Sequence, residues 1–198
     1  MTRVVLASAS PRRLELLAPL RLDLVVHPAD IDESVLGGED PMIYVRRLSI
    51  GKADAVIAAR AASADTDADE LVVAADTTVD VDGCILGKPT DADDARAMLE
   101  RLADRAHHVH TGVTVRRGTD VATAVVSTQV TFAPVTAREL DWYIATGEPF
   151  DKAGAYAIQG AGGAFVTSVD GSVSNVVGLP LTTVVQLARS VGVDLLSP

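Results

Sequence analysis

The sequence predicts a mixed α/β fold, on three observations. Continuous apolar runs at Val4–Ala7 and Leu71–Ala75 read as strands buried on both faces. Two cap-plus-proline pairs, Ser10-Pro11 and Asp40-Pro41, each open an apolar row at helical spacing. Asp-Gly pairs at 82–83 and 170–171 sit between alternating stretches and read as hairpins. So many antiparallel pairs exclude a purely doubly wound parallel sheet.

The elements follow in order. Val4–Ala7 leads through Ser8-Ala9-Ser10 to Pro11, with Ser10 as N-cap and Pro11 at the first helical position. Leu14, Leu17 and Leu20 recur at helical spacing, and a second strand is expected around Val25. Asp40-Pro41 opens a helix to about Arg60, on which Tyr44, Leu48, Lys52 and Val56 form one i, i+4 row. Ala58–Asp69, rich in Ala and Asp, reads as a helix end and a surface loop. The strand Leu71–Ala75 is expected to end at Asp76, with Thr78–Ile85 folding as a hairpin. Thr90 to about Ala103 is a helix, and Val109–Arg116 and Val121–Phe132 are long strands joined at residues 117–120. Thr136-Ala137-Arg138-Glu139 is a capping box for a helix that stops at Gly147. Ala164–Val169 and Ser172–Val177 are expected as arms of a last hairpin, and Pro180–Val191 as the closing helix.

Composition narrows the function classes. The chain has 198 residues, 48% hydrophobic and 22% charged, as in ordinary soluble domains, but only 4% aromatic, so Ala, Val and Leu fill the core. No apolar run approaches the roughly 20 residues of a membrane span, and the N-terminus lacks the apolar stretch of a signal peptide. The single Cys84 excludes an intramolecular disulfide and a multi-cysteine zinc site, and fits a reducing cytoplasm. A net charge of −10 argues against nucleic acid as a partner. The acidic runs Asp65–Glu70 and Asp91–Asp94 read as solvated surface.

Several segments carry possible chemistry. Ser8-Ala9-Ser10-Pro11-Arg12-Arg13 combines a helix start with two arginines, a combination that suits a bound polyanion; simple pairing with surface acids such as Glu15 is the plainer alternative. Asp76, at the end of an apolar strand, can orient a water, accept its proton or hold a metal, or merely form a turn. Gly87-Lys88-Pro89 fails the Walker spacing, so Lys88 is a phosphate contact only in the company of other groups. Lys52, in an otherwise apolar row, either snorkels or points into a pocket, and snorkelling is the expectation on the row alone. Asp30, Asp32 and Glu33 supply oxygens suited to Mg²⁺ or Mn²⁺, or form an exposed loop. Residues 151–163 are Gly-rich, and Gln159 has the donor and acceptor needed to read a base edge. His108 and His110 share a strand face that His107 opposes, but no acid or Cys completes a zinc set. No G-x-S-x-G elbow is present and Cys84 lacks a His partner, so acyl-enzyme chemistry is not expected.

Taken together, LASASPRR (6–13), DIDE (30–33), YVRRL with Lys52-Ala53, AADTTV (74–79), GKP (87–89), GEPFDKAGAYAIQG (147–160) and NVVGLPL (175–181) resemble the Maf family of nucleotide pyrophosphatases. The resemblance spans nearly the whole chain, 1–198, as one domain. It implies an ITPase-like fold: a long mixed sheet flanked by helices, with two lobes around a central cleft, often dimeric. It also implies a cytoplasmic house-cleaning enzyme that cuts a nucleoside triphosphate to monophosphate and pyrophosphate with a divalent cation (Mg, Mn or Co). Residue by residue, Asp76 matches the family's proton acceptor. Arg12, Thr77 and Gln159 match positions tied to substrate choice and look like the dTTP/UTP branch rather than the 7-methyl-GTP branch. Ser8, Arg13, Glu33, Lys52 and Lys88 match polar residues of the triphosphate and metal site. Thr78 and Ala157 depart from the more usual aliphatic residue and Gly, and residues 61–70 carry no family signature.

In the expected mechanism Arg12, Arg13, Lys52 and Lys88 offset the triphosphate charge, with Ser8 and Ser10 as added donors. Glu33 and Asp76 hold the metal, Asp76 readies the attacking water, and Thr77 and Gln159 read the base, dTTP, UTP or a modified pyrimidine. A carboxylate is a weak base near neutrality, so the role assigned to Asp76 is largely positional or metal-mediated. One rival is a regulator of cell division that binds nucleotide without turnover. Another is an unrelated anion-binding protein using only the Ser-Pro-Arg-Arg segment.

Overall fold

The structure, a computed structural model, describes residues 3–63 and 69–197. Seven strands form one mixed sheet: β1 (Arg3–Leu6), β2 (Asp23–Val26), β3 (Leu71–Val81), β4 (Cys84–Leu86), β5 (Ala106–Arg117), β6 (Asp120–Phe132) and β7 (Val166–Asp170). Their order is β2-β1-β3-β5-β6-β7, with β4 paired to β3. β1 runs parallel to β2 and β3, while β4 and β7 pair antiparallel with β3 and β6. The helices are α1 (Pro11–Leu17), α2 (Pro41–Ala62), α3 (Ala92–Leu102), α4 (Ala137–Ala145), α5 (Val173–Val177) and α6 (Leu181–Ser190). None among the described residues is long and apolar enough to cross a membrane.

The chain divides into two units, and β3, β5 and β6 each contribute to both. Unit 1 holds residues 1–76, 111–126 and 178–198. β1 and the first half of β3 are covered on both faces, which is why they read as unbroken apolar runs. Val4, Leu6, Leu71, Val73 and Ala75 pack with Leu17, Val184 and Ala188 of α1 and α6. Val5, Ala7, Val72 and Ala74 face Ala53 and Val56 of α2. Asp40 caps α2 by accepting from the N–H groups of Met42 and Ile43. The helix backbone rides close to β5: a Cβ added at Gly112 would lie 2.2 Å from the Val45 carbonyl oxygen. Only glycine permits that approach.

Unit 2 holds residues 77–110 and 127–177. Its core joins Val79, Val81 and Leu86 to Leu99 and Leu102 of α3, Leu140 and Tyr143 of α4, and the aromatic rings of Phe132, Tyr156 and Phe165. The capping box at Thr136 and Glu139 is formed, and α4 gives way to Gly147, as expected. Asp91 caps α3. His108 and His110 stack on one face, as the strand period requires, while His107 turns inward.

Four expectations are corrected. β3 does not end at Asp76 but continues to Val81, because Val79 to Val81 pair with β4 in the hairpin. Residues 173–177 are a short helix rather than a strand, since the Ser172 hydroxyl accepts from the Asn175 N–H and caps a helical turn. Ser10 stands at the N-cap of α1, but its side chain makes no capping bond. The acidic run 65–70 lies mostly outside the described residues; its end, Glu70, is buried and bound bidentately by Arg60, at 2.6 and 3.0 Å, rather than solvated.

His107 is a buried titratable group beside the second core. It lies edge-on to Phe132 and Tyr156, and its Nε2 is 2.9 Å from the Tyr156 hydroxyl. Burial, then the charges of His108 and Arg105, hold its ionisation down to about 4. The folded protein therefore keeps this ring neutral while the unfolded chain takes up a proton near 6.5. The stabilisation is complete above about pH 6.5 and is lost as pH falls toward 4, by about 3 kcal/mol. Urea midpoints measured across this window should fall for the wild type and flatten in His107→Phe; equal slopes in both would remove His107 from acid sensitivity.

Candidate active site

The site in unit 1 follows from two periodicities meeting. Along β3, Val72 and Ala74 face α2, and the two-residue period brings Asp76 to the same side. Along α2, Lys52 sits one turn before Val56 on the buried row. The Lys52 ammonium thus lies 2.6 Å from Asp76 Oδ1 and 2.7 Å from Glu33 Oε1. It does not snorkel: Lys52 and Asp76 are both about nine-tenths buried. A buried ammonium must be paired, and here it is paired twice. The Glu33 side chain is half exposed, so its share is screened and Asp76 is the stronger partner.

Glu33 reaches Lys52 because its loop is tied to α2. The Tyr44 hydroxyl donates to the Glu33 carbonyl at 3.0 Å, and Arg47 donates to the Ser34 carbonyl at 3.0 Å. Arg47 also grips both Glu39 oxygens, at 2.6 and 2.7 Å. Burial, then the charges of Asp76 and Glu33, push the Tyr44 phenol up to about 12, a sign of the negative potential beside it. The sequence marks Tyr44 and Arg47 only through an apolar row and the YVRRL segment, and their i, i+3 spacing before Lys52 is the signal that joins them. Asp32 turns back to accept from the Ser34 N–H and hydroxyl, and Asp30 is exposed.

Arg13 is buried. Its Nε donates to the Gly178 carbonyl at 2.8 Å and its Nη1 to Ser8 Oγ at 2.9 Å. Burial, then the Arg12 charge, press its ionisation down against the pull of Asp76 and Glu33. Ser8 is buried, and its hydroxyl also accepts from the Ser10 N–H at 3.2 Å. Arg12 and Ser10 are half-buried on the same segment. α1 has only seven residues, so the positive charge here resides in the guanidinium groups rather than in a helix dipole.

Thr77, Lys88 and Gln159 belong to unit 2. Thr77 is half-buried, and Lys88 and Gln159 are exposed. The Gly87-Lys88-Pro89 loop is joined to the Gly-rich segment where the Gly154 N–H donates to the Gly87 carbonyl at 3.0 Å. That segment is not a plain flexible loop but a succession of 3-10 turns, Glu148–Asp151, Ala153–Ala155 and Ala161–Phe165. Among the described residues no three or more His, Cys, Asp or Glu side chains gather to hold a metal ion. Glu33 and Asp76 are two carboxylates turned to one point, the Lys52 ammonium. Such a pair fits a divalent cation that takes its other ligands from phosphate and water.

The Lys52–Asp76 pair sets a stability test. Lys52→Met leaves two acids facing each other at a largely buried position, and breaking such a pair costs about 3 kcal/mol or more. The expected outcome is a clearly lower urea midpoint at neutral pH; a midpoint equal to the wild type would mean that the ammonium is not bound as described.

Known proteins resemble this chain over nearly its whole length. The "dTTP/UTP pyrophosphatase" of Anaeromyxobacter dehalogenans (strain 2CP-1 / ATCC BAA-258) is 54% identical over 197 residues, covering 98% of this chain and 96% of its own. The protein of that name from Myxococcus xanthus (strain DK1622) is 52% identical over 194 residues, covering 98% and 95%. The one from Symbiobacterium thermophilum is 44% identical over 192 residues, covering 97% and 95%. Among solved structures, the Staphylococcus aureus Ham1 protein matches 67% of this chain and 72% of its own at 14% identity and a TM-score of 0.46, a likeness too remote to carry weight. The family model described as "Maf-like protein" matches residues 3–191, and the chain belongs to that family.

Proposed function

We propose that the protein hydrolyses nucleoside triphosphates, dTTP and UTP foremost, to the monophosphate and pyrophosphate. The observation that carries this reading is the buried Lys52 ammonium holding Asp76 and Glu33 within 2.6 and 2.7 Å, on the residues a nucleotide pyrophosphatase would use. The name shared by relatives at 44–54% identity supports it. In this reading Lys52 fixes Asp76 by one oxygen, and the other orients the attacking water and takes its proton. Ser8 and Arg13 shape the adjoining wall, and Arg12, with Ser10, meets the phosphates. Lys88 adds a further cation from its loop, and Thr77 and Gln159 read the base. Glu33 and Asp76 would hold a divalent cation such as Mg²⁺, Mn²⁺ or Co²⁺. When bound, such a cation neutralises charge on the phosphate oxygens and the leaving pyrophosphate. The same reading makes the protein a cytoplasmic enzyme, acting as a homodimer.

Two substitutions test it. Asp76→Asn should lower kcat by about a hundredfold or more while nucleotide still binds, since a positioned base contributes about that much. Pyrophosphate release is the assay, and unchanged turnover would take Asp76 out of the chemistry. Gln159→Ala should leave turnover in place but level the rates among dTTP, UTP and dCTP. An unaltered ranking would remove Gln159 from base reading.

A further inference from the structure

We propose that Glu148, with Tyr143, is the positioning residue for base selection: its carboxylate anchors the backbone after Gln159 and, through the Tyr143 hydroxyl, the backbone before it. The proposal rests on the reading of Gln159 given above. Glu148 follows α4 in unit 2. Its Oε2 accepts from the Ala161 N–H at 2.9 Å, and its Oε1 from the Gly162 N–H at 3.0 Å and the Tyr143 hydroxyl at 2.8 Å. The Tyr143 oxygen in turn accepts from the Ala157 N–H at 3.3 Å. Gln159 stands exposed in the middle of 157–162, with one anchor before it and two after.

Several features set this apart from an ordinary surface acid. Tyr143 is fully buried, so its hydroxyl is fixed by the core rather than by solvent. A Cβ at Gly160 would fall 2.2 Å from Glu148 Oε2, so the backbone lies against the carboxylate and a side chain at 160 would have to displace it. Burial pushes the Glu148 carboxyl up, but the N–H groups of Gly162 and Ala161 and the Tyr143 hydroxyl together outweigh it and hold the group below its ordinary range. The anion is therefore the form that fits. The base of Glu148 is itself held, its N–H donating to Thr146 Oγ1 at 3.1 Å and its carbonyl accepting from Lys152 at 2.8 Å.

An amide cannot replace this carboxylate. Three donors converge on two oxygens, and the NH₂ of Gln at 148 would face at least one of them donor to donor. The turn would then relax, and an exposed glutamine on a relaxed turn presents its amide in more than one direction. Discrimination between bases needs that amide in one direction, since it depends on hydrogen bonds left unmade with the wrong partner. Attachment of the phosphates does not depend on it.

The test is a double-mutant cycle on the full chain, read as kcat/KM for dTTP against dCTP. Glu148→Gln should reduce that ratio about three- to tenfold, mostly through the KM for dTTP. In a Gln159→Ala background, Glu148→Gln should change the ratio no further, and the Ala161 and Gly162 amides should exchange faster in Glu148→Gln than in the wild type. Tyr143→Phe, which keeps the ring but removes one donor, should shift the ratio in the same direction and serves if Glu148→Gln does not fold. A ratio unchanged in a folded Glu148→Gln or Tyr143→Phe variant overturns the proposal, as does an effect that adds fully to that of Gln159→Ala. If Gln159→Ala itself leaves the ratio untouched, the base-reading role falls and this proposal with it. A ratio altered by Gln159→Ala but not by Glu148→Gln sinks the proposal alone.

Discussion

A lysine ammonium buried against two carboxylates is the constraint on which the site depends. Removing a single charge from water costs several kcal/mol, and attraction to a partner repays that only at close range. Lys52 and Asp76 lie on different elements, so their contact demands that α2 and β3 keep one register. A slip of one residue in β3 would send Asp76 to the opposite face, and a slip of one in α2 would swing Lys52 about 100° off the buried row. The packing that fixes the register is local: Ala53 and Val56 lie against Val72 and Ala74, and the α2 backbone lies against Gly112.

Arg13 acts as a buried joint in unit 1. It joins the end of β1 to residue 178, just before α6, through Ser8 Oγ and the Gly178 carbonyl. Two of its donors are thereby committed to the protein, while its charge still raises the potential near Asp76 and Glu33. The wall and the field around the carboxylates thus come from one side chain. Tyr44 and Arg47 do for the Glu33 loop what packing does for Asp76, supplying fixed partners to an otherwise exposed strand of backbone.

The legible parts of the sequence were those written in local chemistry. Caps at Asp40 and Thr136, the stop at Gly147 and the doubly covered strands all followed from neighbours within a few residues. The continuation of β3 past Asp76 was not legible, because a charged residue inside a strand reads as an end until its partner is known. Lys52 misled for the same reason: its two acids stand 19 residues before it and 24 after it. Ser172–Val177 alternates like a strand, yet one hydroxyl cap tips it into a helix. The family motifs named Asp76, Lys52 and Gln159 as one constellation, but Glu148, inside a quoted motif, drew no role. Its partners are mostly backbone N–H groups, which no side-chain pattern announces.

The bidentate grip of Arg60 on Glu70 reaches beyond stability. It fastens the last turn of α2 to the first residues of β3, so both arms of the site are locked together upstream of the chemistry. The clamp thus works as a datum for the unit: helix and strand are indexed to one another by one buried pair before either reaches Lys52 or Asp76.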